Sequence, residues 1–232
     1  NALSINGNGI SNAGALVNSS STTAIFSGPV TLAGSSSIFG QSGLIRLTGQ
    51  ISSSVSNASL TLAGSQGGSI SGVIDSSISE VSKNGAGKWV LSGNNAYVGD
   101  TFVNAGVLAA AHGNALGTGS CRSGSCATEV KTGAALELAD NVALDERIYL
   151  DGGRLSNASG SNSILQSVLL KQSSTIASDA GTLSLAPSVS SSPSVDKLTS
   201  GSLTLTLAGA GSLIFSGPVY LPTSPGSAMS YE

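Results

Sequence analysis

Charge is the scarcest commodity in this chain: 9% of its 232 residues are Asp, Glu, Lys or Arg, where an ordinary soluble domain carries about 25%. Aromatic residues fall to 4%, with one Trp, one Met, one His and two Cys. Each shortage removes a class of function. A formal charge of -3 and a pI near 5.0 leave no basic surface to neutralise phosphates, which argues against nucleic acid or an anionic membrane as partner. No apolar run approaches about 18 residues, so direct membrane insertion is not expected, and no charged segment leads into an apolar one in the manner of an export signal. The single histidine, His112, lies in a Gly/Ala stretch with no G-x-S-x-G elbow anywhere in the chain, and reads as a surface residue. Phosphate-binding loops, H-E-x-x-H, EF-hand and G-G-x-G-x-D patterns do not occur, so neither a cofactor nor a metal site is signalled. The expectation is that the protein is not an enzyme.

What fills the space is Gly, Ser, Ala and Asn on a 40% hydrophobic background with a mean hydropathy of +0.26. Low charge combined with that much apolar content opposes disorder. A chain of this length buries roughly 70 to 75% of its unfolded surface in one body. Its hydrophobic residues fall in short alternating runs: Leu44 to Leu47, Ile70 to Ile74, Ala135 to Leu138, Ile148 to Leu150, Val168 to Leu170, Leu183 to Leu185 and Leu203 to Leu207. Period-2 alternation marks strands with one buried face, and the Ser, Gly and Asn between them mark turns. Helical patterning is poor; the best window, Ala139 to Ile148, reads as a polar loop between coils.

Internal echoes set the architecture. IFSGPV occurs at Ile25 and again at Ile214, and SLTLAGS at Ser59 to Ser65 returns as LTLAGAGS at Leu205 to Ser212. Strands without crossover helices stack in parallel when the chain winds as a solenoid. An all-β parallel β-helix of roughly ten coils is therefore expected, each coil of roughly 20 to 25 residues, in a rod on the order of 50 Å long. An antiparallel sandwich or propeller is the rival, which repeated Asn-Gly or Asp-Gly hairpins would favour.

The most informative segment runs from Lys83 to Leu108, KNGAGKWVLSGNNAYVGDTFVNAGVL. Its pattern of Gly85, Gly87, Trp89, Leu91, Gly93, Asn95, Tyr97, Gly99, Thr101, Val103, Gly106 and Leu108 resembles the passenger-associated transport repeat of Gram-negative autotransporters, which export a passenger by type V secretion. Val98 and the Ala109 to Ala111 run depart from the usual pattern, which leaves coil boundaries open. The resemblance spans about 26 of 232 residues, and the flanking texture agrees with it. It implies a right-handed parallel β-helix, exported through the periplasm and outer membrane by a C-terminal β-barrel outside this sequence, and left secreted or on the cell surface. The whole of 1–232 is then read as one passenger fragment, with the repeat at about 83–108 and a small-residue loop at about 112–128. The chain starts and stops inside the same texture, so its signal and anchor are expected elsewhere.

Within the repeat, alternation puts Trp89 and Leu91 on one face and predicts core packing for Trp89 and Tyr97. Asn94 and Asn95 are read as turn residues or stacked amide ladders. The pair Cys121 and Cys126 lacks the C-x₂-C spacing and further ligands of a metal site; a disulfide fits an exported protein in an oxidising compartment. Asp140, Asp145, Glu146, Arg147, Asp151 and Arg154 form the one charge cluster, read as a solvated loop with local ion pairs and, alternatively, as a glycan site. The functional expectation is a structural and adhesive module that attaches to a host surface protein or glycan, or to a second copy of itself. A secreted toxin or receptor-binding effector on the same scaffold is the alternative, and a glycan-active enzyme the second.

Overall fold

Leucine, valine and isoleucine at every second position give each strand one face to bury, and in Ala134–Leu138 residues 134, 136 and 138 are buried while 135 and 137 are partly exposed. The computed structural model describes residues 1–118, 127–186, 188–191, 203–220 and 228–231. Within them the chain is almost entirely strand and turn, with one short 3₁₀ segment, Ile10–Asn12.

The strands form three sheets of twelve, ten and four members, and every extended ladder is parallel. Successive neighbours in one sheet are separated in sequence by strands of another, so the chain winds around a common axis. Thr101–Val103, Thr128–Lys131, Ile148–Asp151 and Val168–Leu170 are consecutive members of the first sheet. Lys88–Leu91, Gly106–Ala110, Ala134–Leu138 and Arg154–Asn157 are consecutive in the second, and Ala143–Leu144, Ser161–Ile164, Thr182–Leu185 and Ser212–Phe215 make the third. This is a parallel β-solenoid.

In the second sheet Ala24 pairs with Ile45, Ile45 with Gly68, Gly68 with Trp89 and Trp89 with Leu108, so successive rungs lie 21, 23, 21 and 19 residues apart. Two steps are longer: 28 residues from Leu108 to Leu136, and 31 from Ile176 to Leu207. Insertions of that size consume chain without adding a rung, and the solenoid has about eight turns, close to the roughly ten expected.

The echoes occupy the same kind of corner on different faces. Ala24–Phe26 lies in the second sheet and Ser212–Phe215 in the third, yet in both copies Ile25 and Ile214 face outward while Phe26 and Phe215 pack against the core. The second echo behaves alike, Ala58–Ala63 lying in the first sheet and Thr204–Ala208 in the second. Each is followed by a glycine with left-handed backbone, Gly64 at φ +99° and Gly209 at φ +98°. A Cβ at either would collide with a carbonyl of a neighbouring coil, that of Gly40 or of Ser178. The repeated peptide thus specifies a strand and its corner, and the corner is usable on more than one side of the coil.

One continuous cluster runs through the interior, with Leu32, Ile38, Leu60, Leu62, Ile70, Trp89, Leu108, Leu136, Leu155 and Ile176 among its buried members. Each aliphatic side chain taken fully from water contributes roughly 1.5 to 3 kcal/mol before entropy is counted.

Candidate functional site

The segment singled out by its glycines forms one full coil of the solenoid and the start of the next. Lys88–Leu91 pairs in register with Gly106–Ala110, so Trp89 lies beside Leu108, one turn further along the chain. Trp89, Leu91, Tyr97, Val103 and Leu108 are all buried, as alternation predicts. The Trp89 indole Nε1 donates to the Ala63 carbonyl at 3.0 Å, tying this coil to the one before it.

Glycines mark where neighbouring coils come closest. Gly28, Gly49, Gly72 and Gly93 form a column in which a Cβ on Gly49 would strike the Gly28 carbonyl, one on Gly72 that of Gly49, and one on Gly93 that of Gly72. Gly99 is held in the same way against Ser79, and Gly87 against Gln66 and Gly67. Gly85 and Gly106 have positive φ, +81° and +64°.

Polar residues of the coil serve as internal fasteners. Asn95 is buried; its Oδ1 accepts from the Ile74 backbone N–H at 2.9 Å and its Nδ2 donates to the Ala115 carbonyl at 2.6 Å. One amide thus joins three successive coils. Outside, Asn114 Nδ2 donates to Asn94 Oδ1 and Asn104 Nδ2 to Asn84 Oδ1, each at 2.8 Å, which are amide ladders of the expected kind. The Tyr97 hydroxyl and Thr101 Oγ1 are 2.6 Å apart, both buried. Burial holds the Tyr97 hydroxyl well above the usual phenol range.

Residues 81–110 match the model of the passenger-associated-transport-repeat. The repeat and the solenoid around it fit an autotransporter passenger domain. No curated protein and no solved structure matches the chain. The family implies secretion or export to the cell surface. In this chain the repeat brings its twelve motif residues together as a packing unit, and every aromatic or aliphatic side chain among them points inward.

Among the described residues two charged ones are buried, Glu146 among them although its cluster was expected to be a solvated loop. Lys83 closes the strand Ile78–Lys83 with its Nζ donating to the carbonyls of Gly85 at 2.7 Å, Ala105 at 2.8 Å and Asn84 at 3.3 Å. Burial without a carboxylate partner lowers its amine to about 8. Glu146 is buried at the next coils, where the Thr128 hydroxyl donates to its Oε1 at 3.1 Å. Burial pushes its carboxyl up to about 7; Asp100 and Asp145 add to the rise, while Thr128 and Arg147 oppose it. Thr101 and Thr128 occupy paired inward sites of one ladder, beside Ile148 on the next strand, a register that only the folded coils reveal.

The charge cluster from Asp140 to Arg154 is dispersed. Asp151 pairs with Lys131 at 2.8 Å, Arg154 with Asp179 at 2.5 Å, and Asp145 accepts from Gln166 at 2.7 Å, while Glu146 turns inward. Asp140 and Asn141 take positive φ, +68° and +63°, at a corner. The window Ala139 to Ile148 is that corner together with the short strand Ala143–Leu144. On the outer face of the first sheet, Glu129 accepts from Lys131 at 2.7 Å and Lys171 at 2.8 Å, and Lys171 lies 4.7 Å from the centre of the Tyr149 ring. Burial works against the Glu129 charge, but the two lysines hold its carboxyl below the ordinary range. His112 accepts at Nδ1 from the Asn114 backbone N–H at 3.0 Å, closing a local turn. Cys121 and Cys126, expected as a disulfide, lie outside the described residues.

Proposed function

We propose that this passenger acts outside the cell as a structural and adhesive module, attaching to host surface molecules or to further copies of itself, and that its repeat serves folding during export. The observation that carries the reading is the direction of the repeat's side chains. The distinctive residues are spent on the interior, with Trp89 and Asn95 bridging coils and Tyr97 held inside by Thr101, which leaves the long outer faces free for contact. Those faces are rich in Ser, Thr and Asn, and their backbone groups are occupied in parallel ladders, so contact there depends on side chains.

Beads coated with the purified chain, added to host epithelial monolayers, test attachment, and sedimentation over a hundredfold concentration range tests self-association. Retention above albumin-coated beads, or a concentration-dependent rise in mass, supports the proposal. Beads that wash off, together with a strict monomer, would overturn it. The non-enzymatic reading belongs to the same proposal and is checked by incubating the chain with a panel of polysaccharides and finding no new reducing ends.

A further inference from the structure

The outer face of the second sheet contains a trough made by an absence of side chains. Along the coil that holds Gly67–Ile70, the residues lining the trough are Gly68, Ser69 and Ser71. The coils on either side carry larger groups: Arg46 and Val90 flank Ser69 in register, and Lys88 stands beside Gly67. Two strand spacings separate the walls, about 10 Å. The resulting hollow, about 500 Å³, is bordered also by Leu44, Thr48 and Gln66.

Arg46 distinguishes this hollow from the rest of the surface. Among the described residues Lys88 pairs with Glu137, Arg154 with Asp179, Lys131 and Lys171 with Glu129, and Lys83 is held by carbonyls. Arg147 lies near the Glu146 carboxylate. Among the described residues the Arg46 guanidinium has neither a carboxylate within ion-pair distance nor a carbonyl partner. An unpaired planar fork of donors beside a cavity suits a carboxylate, which it can hold with two parallel hydrogen bonds. Thr48, Ser69 and Ser71 supply hydroxyls that both donate and accept, Gln66 an amide, and Leu44 and Val90 an apolar flank.

We infer that this trough binds a sugar unit bearing a carboxylate, as part of an acidic glycan. The carboxylate lies on Arg46, the ring hydroxyls on the Ser and Thr side chains, and a C–H face of the ring against Val90 and Leu44. An acidic peptide fits less well, since the strands beneath have their backbone groups committed to ladders and cannot take up a peptide's amides. The inference rests on the adhesive reading and gives it a ligand class.

Three carboxylated probes are titrated into the whole chain by calorimetry: a glucuronate–N-acetylglucosamine hexasaccharide, a galacturonate hexasaccharide and sialyllactose. Saturable binding of at least one is expected, weakened at least tenfold by Arg46→Gln and by carboxyl reduction of the sugar. Ser69→Leu should abolish it by filling the trough. Circular dichroism confirms that each variant keeps its fold, and should Ser69→Leu misfold, Arg46→Gln decides alone. Silence from all three probes, equal binding by Arg46→Gln or by the reduced sugar, or equal affinity for hexaglutamate would overturn the inference. Bead attachment that survives Arg46→Gln would leave the adhesive reading intact while removing this one.

Discussion

Single buried polar groups govern much of what this solenoid tolerates. Glu146 is a carboxyl whose folded-state value, about 7, lies above its ordinary 4.5. The folded protein therefore binds that proton more tightly than the unfolded chain does. Its contribution is fully present below about pH 4.5 and is lost as pH rises through 7. Between pH 4.5 and 8 the wild type should lose on the order of 1 to 3 kcal/mol of stability from this group. Glu146→Gln, which can still accept from Thr128, should flatten the dependence and be the more stable protein at pH 8. Urea unfolding at the two pH values measures both; a wild type as stable at pH 8 as at 4.5 contradicts the assignment. Asn95 offers a second test. Asn95→Leu keeps the volume but leaves the Ile74 N–H and the Ala115 carbonyl without their partner. A loss of about 2 to 5 kcal/mol is expected, since each stranded group costs roughly 1 to 3. Asn94→Leu on the exposed ladder should cost under about 1 kcal/mol, and similar losses for the two would mean that burial is not what matters.

At the scale of the strand and its corner, the glycine column and the Trp89 anchor perform one task, which is to let coils approach and then hold them. Gly72→Ala would place a methyl against the Gly49 carbonyl, with backbone rather than a movable side chain in the way. A cost of about 1 to 3 kcal/mol is expected from overpacking. Gly133→Ala, where nothing lies within 4 Å, should be limited to the strain of its φ of +78°. Thermal unfolding of the two variants separates crowding from backbone strain. Much at this scale was legible in the sequence. Val168 to Leu170 is a strand with the expected bounds, and Ala135 to Leu138 and Leu183 to Leu185 each gain one residue, because alternation in a one-side-buried strand is a local property. Coil number was legible only to within a coil or two, since it depends on where long insertions fall between Leu108 and Leu136 and between Ile176 and Leu207. The inward turns of Lys83 and Glu146 were not legible, because a charged residue is ordinarily placed outside and only the coil register puts these two within. The charges around Asp145 make local pairs rather than one joint site for a related reason. Neighbours in sequence at a corner diverge in a solenoid, and partners come from the adjacent coils, Gln166 of the next coil for Asp145 and Lys131 of the preceding one for Asp151.

At the scale of the whole molecule, each coil touches chiefly its two neighbours, so stability is a sum of coil and interface terms. Such a stack is strongest where interface terms are largest. The repeat concentrates them: Trp89 reaches back to Ala63, Asn95 joins the coils of Ile74 and Ala115, and Lys83 binds carbonyls at Gly85 and Ala105. The coils of Ala24–Phe26 are joined differently. Ile25 is 67% exposed and Phe26 only partly buried. Native-state hydrogen exchange should therefore show protection peaking at Lys88–Leu91 and Thr101–Val103 and falling toward Ala24–Phe26. Trp89→Phe removes the hydrogen bond to Ala63 and part of the buried ring, and should lower protection on both sides of the repeat, in Gly67–Ile70 as well as in Gly106–Ala110. A stability centre of this kind gives a chain that emerges progressively a place where structure first holds, and coils added to either side inherit its register. Protection that is uniform along the rod, or a Trp89→Phe effect confined to its own strand, would mean that the repeat is one coil among equals and that any role in folding lies outside its packing.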